Sequence, residues 1–182
     1  MHEKAEPRWL GSDEQESWYA LAYLLNLLPA ALDAQMRRDA GIGQFEYMVL
    51  SALSMAPRRT LPMSVLASYT AATLSRLSNV VSRLEKRGWV QRAPDPADGR
   101  TTLAALTGDG FTVVEESAPR HVAEVRRLVF DPLTQAQQRQ LGVIASRILQ
   151  AIDPATPRPG APDLAPGAHH RSRPARGRHS PP

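Results

Sequence analysis

The stretch TLSRLSNVVSRLEKRGWVQRAPDPADGRTTLAALT, residues 73–107, decides how the rest of the chain is read. Thr73 is a natural N-cap, because its hydroxyl can accept from an otherwise unpaired amide of the first helical turn. Leu74, Leu77, Val81 and Leu84 follow at steps of three and four on one apolar face, and Gly88 supplies the stop. The opposite face carries Ser75, Arg76, Asn79, Ser82, Arg83 and Lys86. Short hydroxyl and amide side chains let a helix backbone lie close in a groove, and Arg and Asn can pair with base edges through two hydrogen bonds. Beyond Gly88, WVQRA (89–93) and TTLAALT (101–107) alternate as two strands, with PDPADGR between them. Asp98-Gly99 is a turn signal, and the two prolines keep the loop from extending either strand. A loop of this length projects, so the cation at its tip, Arg100, is placed to enter a minor groove beside the helix.

Charge supports that reading once it is located along the chain. The 182 residues carry a net +4, yet residues 58–100 alone hold eight basic side chains against three acidic ones. From Asp153 onward there are five Arg and two Asp, which leaves the remainder of the chain acidic. A basic block set in an acidic domain is a more specific nucleic-acid footprint than overall charge.

Outward from the central stretch, helical signals dominate. Ser12-Asp13-Glu14-Gln15 has capping-box form, and Trp18, Leu21, Leu25, Leu28, Leu32 and Met36 mark a long first helix ending near Gly41, bent by Pro29. Phe45, Met48, Val49, Ala52 and Leu53 mark a second helix closed before Pro57, and MSVLASY (63–69) a short third. A fifth runs from Thr107 to Leu128 with Pro119 inside it. A sixth begins at Thr134, where Gln137 completes a capping box, and continues through Leu141, Ile144, Ile148 and Ile152. The first, fifth and sixth helices are apolar over too wide a stripe for three-sided solvation, which predicts association with the same helices of a second copy.

The predicted fold is mainly α with a small β-hairpin wing: a winged helix–turn–helix plus a helical dimerisation region. Residues 1–11 are expected to be a flexible N-terminus. Residues 12–152 form one domain, with a DNA-binding core at about 44–107 and dimerisation helices at about 12–40 and 107–152. Residues 153–182, with eight of the sixteen prolines and almost no large apolar side chain, are expected to be a disordered Pro/Arg-rich tail.

Several function classes are disfavoured. The chain has no cysteine, hence no disulfide, zinc thiolate or thiol switch. The run YALAYLLNLLPAAL (19–32) is too short to span a bilayer and is broken by Asn26 and Pro29; MHEKAEPR lacks the apolar core of a secretion signal. A cytoplasmic protein without a membrane partner is expected. No catalytic constellation appears: His121 lies mid-helix, Glu115 and Glu116 are sequence neighbours, and no Gly-rich phosphate loop is present. Neither an enzymatic activity, nor a cofactor, nor a metal site is expected.

The run 73–92, the wing DPADGRTTLAALT (95–107) with its Asp-x-Arg at Asp98 and Arg100, and the Leu106-Thr107 entry to the fifth helix resemble the multiple-antibiotic-resistance regulator (MarR) family of winged helix–turn–helix repressors. The likeness in order and spacing runs from about Ser12 to Ile152. It implies a homodimer built on the first, fifth and sixth helices, bound to a palindromic operator in double-stranded DNA. It implies that Ser75, Arg76, Ser78 and Asn79 face the major groove, and that Arg100 enters the minor groove with Asp98 as its orienter; Arg83, on the same polar face, is a further candidate DNA contact. Many relatives are released by small aromatic or phenolic ligands, for which Trp18, Tyr19, Tyr23 and Tyr47 are the candidate lining here, against the alternative that they are core. The competing reading, a winged-helix protein–protein interaction module without specific DNA binding, gives no reason for Arg76, Arg83 and Lys86 on the fourth helix.

Overall fold

Helix boundaries fall where the sequence supplies caps. The computed structural model describes residues 7–153, in the order α1 (Ser12–Ala40), α2 (Gln44–Met55), β1 (Thr60–Pro62), α3 (Met63–Tyr69), α4 (Leu74–Lys86), β2 (Val90–Pro94), β3 (Thr102–Leu106), α5 (Gly108–Val125) and α6 (Gln135–Ile152). Most of the expected flexible N-terminus and the tail from residue 154 lie outside the described residues.

Thr73 caps α4 by accepting from the Arg76 N–H at 3.2 Å. At its other end Gly88 (φ 75°) adopts the left-handed conformation, with the Trp89 N–H on the Leu84 carbonyl and the Gly88 N–H on that of Glu85. Thr134 and Gln137 make the expected capping box ahead of α6. At α1 the cap sits one residue earlier than the sequence suggests. Gly11 is the N-cap, and since it has no side chain only the reciprocal half forms, the Gly11 N–H donating to Glu14 Oε2 at 2.9 Å. Past α5 the Asp131 N–H reaches back five residues to Arg126 O at 2.8 Å, so the chain leaves the helix through a widened π turn.

The sheet has three antiparallel strands in the order β1-β3-β2, one more than the hairpin expected from sequence. Thr60 to Pro62 pair with Ala105 to Leu103, a partner more than forty residues on. Pro62 is tolerated there because β1 is an edge strand. The loop before it puts Arg58 and Arg59 at positive φ (52° and 55°), and the Arg59 guanidinium lies 3.4 Å from the centroid of the Phe111 ring. Pro94 closes β2 opposite Thr102, a position outside the strand expected from sequence.

Leu50 and Leu53 of α2, Leu66 of α3, Leu77, Val81 and Leu84 of α4, Val90 of β2 and Ala104 of β3 fill one core. Leu74 was expected on that inward face; it is instead 55% exposed, because the first turn of α4 overhangs the core, and Val80 is buried in its place. The hairpin is joined to α5 through Thr107, whose hydroxyl donates to Gly88 O at 2.7 Å and accepts from the Gly110 N–H at 3.1 Å. Gly110 is packed so tightly that a Cβ there would overlap the Trp89 carbonyl and approach Leu106 Cδ1 to 2.7 Å.

The chain divides into two units after Gly142. The first holds every element up to the opening turns of α6; in the second, Val143, Ile144, Ile148 and Ile152 are apolar and exposed. Among the described residues no helix is long and apolar enough to cross a membrane.

Candidate nucleic-acid interface

An α-helix turns 100° per residue, so Ser75, Asn79, Ser82 and Lys86 lie in a row opposite Leu77, Val80 and Leu84. Within that row Ser75, Asn79 and Lys86 are exposed. The flanks are tied down. On the side of α2, the Arg76 guanidinium lies 4.2 Å from the centroid of the Phe45 ring, and Arg83 Nε donates to Glu46 Oε1 at 3.1 Å. On the side of β2, Arg92 reaches across to the hydroxyls of Ser78 and Ser82 and to the carboxylate of Glu85.

The residues read from sequence therefore separate. Ser75 and Asn79 lie on the exposed row without a side-chain partner among the described residues; Arg76 and Arg83 edge it, each with a partner on α2 but still exposed. Ser78, assigned to the same groove-facing set, is half-buried, with its hydroxyl 3.5 Å from Arg92 Nη1.

A cleft of about 620 Å³ opens between the end of α1, the start of α2 and α4, lined by Asp33, Arg37, Phe45, Glu46, Arg76 and Arg83 among others. Its carboxylates serve the N-terminus of α2, where orphan amides and the helix dipole favour negative charge. Glu46 Oε2 accepts from the Gly43 N–H at 3.0 Å, and Asp33 Oδ1 from the Gln44 N–H at 2.9 Å. The hydrogen bond from Arg37, then that from Gln44, holds Asp33 below the usual carboxylate range.

The wing tip is built from local carboxylate caps. Asp95 Oδ1 accepts from the Ala97 N–H at 2.9 Å, Asp98 Oδ1 from the Arg100 N–H at 3.1 Å and Asp98 Oδ2 from the Thr101 hydroxyl at 3.0 Å. Asp98 thus holds Arg100 by its backbone N–H, and no side-chain pairing between the two is found among the described residues. Arg100 is exposed, and among the described residues its guanidinium has no ion-pair partner.

The candidate ligand lining does not assemble within one chain. Trp18, Tyr19 and Tyr23 are exposed on α1, whereas Tyr47 is buried against His121 with ring centroids 4.6 Å apart. His121 lies 3.5 Å from Gln35 Oε1, which places the pair beside Gln35. Twelve residues of helix, or about 18 Å at 1.5 Å per residue, separate Gln35 from Tyr23. Sequence reasoning missed Glu46, Glu85 and Arg92. The one available signal was a carboxylate in the last turn of α4 followed, across the Gly88 stop, by a cation on the next strand.

A MarR family model matches residues 41–101, from the cap of α1 to the wing tip. The solved structure of Sco3205, a MarR family transcriptional regulator from Streptomyces coelicolor in complex with DNA, is 44% identical to this chain, with a TM-score of 0.80 over 84% of this chain and 95% of that one. The chain belongs to the MarR family of transcriptional regulators. PcaV, a transcriptional regulator from Streptomyces coelicolor solved with its natural ligand, shares 26% identity and a TM-score of 0.63 over 72% of this MarR family chain and 93% of PcaV. The regulator PecS of Dickeya dadantii is 28% identical over 107 residues, so that the match spans 57% of this chain and 62% of PecS. All three are named as transcriptional regulators, and the two solved structures share the fold described above.

Proposed function

We propose that this protein is a sequence-specific transcriptional repressor that binds a palindromic operator as a homodimer. The observation that carries the reading is the exposed Ser75–Asn79–Lys86 row of α4 standing beside a wing whose Arg100 is exposed without an ion-pair partner. Small polar side chains and an available guanidinium on two neighbouring projections suit a major groove and the minor groove next to it. In this reading residues 44–107 form the DNA-binding core, with Ser75, Arg76, Asn79 and Arg83 toward the major groove, Arg100 in the minor groove and Asp98 fixing its turn. Residues 12–40 and 107–152 form the dimer, which explains the exposed Trp18, Tyr23, Leu25 and Leu27 of α1. A response to a bound ligand is supported by the likeness to PcaV, which was solved with its natural ligand; the ligand of this reading is a small aromatic molecule that releases the protein from DNA, met by Trp18, Tyr19 and Tyr23 together with a second copy.

The test is selection of bound fragments from the source genome with purified protein, followed by mobility shifts on the selected site. Enrichment of an inverted repeat bound by two copies supports the reading. Binding to all DNA alike, with no enriched sequence, leaves the protein–protein interaction module as the better account.

A further inference from the structure

A helix in one groove and a wing in the next engage the same duplex only if the angle between them is fixed. Besides the core that α4 shares with Val90 and Ala104, two polar or backbone links join it to the hairpin. One is the short turn through Gly88; the other is Arg92, the middle residue of β2. The Arg92 N–H donates to Glu85 Oε1 at 2.9 Å and its Nε to Glu85 Oε2 at 2.8 Å, while Nη2 donates to Ser82 Oγ at 3.0 Å and Nη1 points to Ser78 Oγ at 3.5 Å. The main chain and both arms of the guanidinium are thus committed to one face of α4, over two of its turns. The side chain is 31% exposed, against 57% for Arg83. The side-chain hydrogen bond from Arg92 holds the Glu85 carboxyl below its ordinary pKa, outweighing the opposing effect of burial. A planar fork matched to a carboxylate and two hydroxyls defines an orientation that a lysine ammonium cannot.

We propose that Arg92 is a positioning residue for DNA reading: it sets the angle at which the wing leaves α4, so that Arg100 and Asn79 engage one duplex, and it makes no DNA contact itself. The inference rests on the reading of Arg100 as a minor-groove residue. Its consequence is that the contribution of Arg100 to operator affinity depends on Arg92.

The experiment is a double-mutant cycle on the selected operator with the full chain: wild type, R100A, R92Q and R92Q/R100A, each also titrated against salt. R100A is expected to weaken binding about tenfold per half-site in the wild-type background and less than twofold per half-site in the R92Q background. R92K, which keeps the charge but not the fork, should behave as R92Q does. A tenfold R100A loss in both backgrounds overturns the inference and leaves the function intact. So does a salt slope of R92Q/R100A shallower by about one per half-site than that of R100A, because Arg92 would then be a phosphate contact. If R100A has no effect in the wild-type chain, the reading of the wing fails and this inference falls with it. Should R92Q not fold, S82A removes one of the four contacts, and an R100A loss reduced to an intermediate value in that background supports the inference, an undiminished loss overturning it.

Discussion

At the scale of single residues, the chain separates groups that hold from groups that are held out. Asp98 spends both carboxylate oxygens on the Arg100 N–H and the Thr101 hydroxyl, so the guanidinium of Arg100 is left to solvent. R100A should therefore weaken operator binding by about 1–3 kcal/mol per half-site while the unfolding temperature hardly moves. D98N, whose amide oxygen can still accept one of the two bonds, should retain more affinity than D98A; equal losses in mobility shifts would show that the charge of Asp98, not its cap, matters. His121 illustrates a residue held in. It packs on Tyr47 of α2 and faces Gln35 of α1, and burial lowers its pKa from the usual 6.5. The unfolded chain then binds more protons than the folded one, so stability is complete above about pH 6.5 and declines as pH falls through that value toward the lowered one. H121F should narrow the difference in unfolding temperature between pH 7.5 and pH 5; an unchanged difference would assign the acid sensitivity to other groups.

At the scale of elements, α4 is held along both edges, and the two grips differ in kind. Arg92 ties it to the hairpin, whereas Glu46 ties Arg83 to the first turn of α2. E46Q keeps an oxygen for the Gly43 N–H but removes the charge that holds Arg83. Affinity for random DNA should rise several-fold at low salt, with a steeper dependence on salt by up to about 0.9 per half-site. Fluorescence-anisotropy titrations at two salt concentrations would check it, and an unaltered slope would place Arg83 away from the phosphates. The helices themselves were readable because their signals are local: the Thr73 and Thr134 caps, the Gly88 stop and the three-and-four spacing all lie within a few residues of what they determine. Strand β1 was not, since three residues carry no periodicity and pair with a partner distant in sequence. The same limit hid the Arg92 attachment, whose four contacts depend on how the hairpin folds back over α4. It also misled at Leu74, where spacing gave the correct face of the helix and only tertiary packing decides where the core ends.

At the scale of the whole molecule, the exposed apolar side chains of α1 are the feature to test. Leu25 is 62% exposed, so replacing it should cost the isolated chain little. L25E is expected to convert a species of about twice the 20.0 kDa chain mass into one near that mass, and to abolish binding to a two-half-site operator while leaving the helical signal in place. Light scattering with circular dichroism measures both; a dimeric L25E protein would move the interface off α1. The Gly110 joint bears on another matter, how the chain can change in length. The wing tip at 96–100 is exposed and closed by its own side chains, so residues can be added or lost there without unpacking the core. From Leu106 to Gly110 no such freedom exists: the Thr107 hydroxyl is fixed at both ends, and the position three residues later admits only a hydrogen beside the Trp89 carbonyl. Shifting that register by a single residue would put Asp109 or Phe111 where only glycine fits, so insertions and deletions should collect before Thr101 and stop short of Leu106.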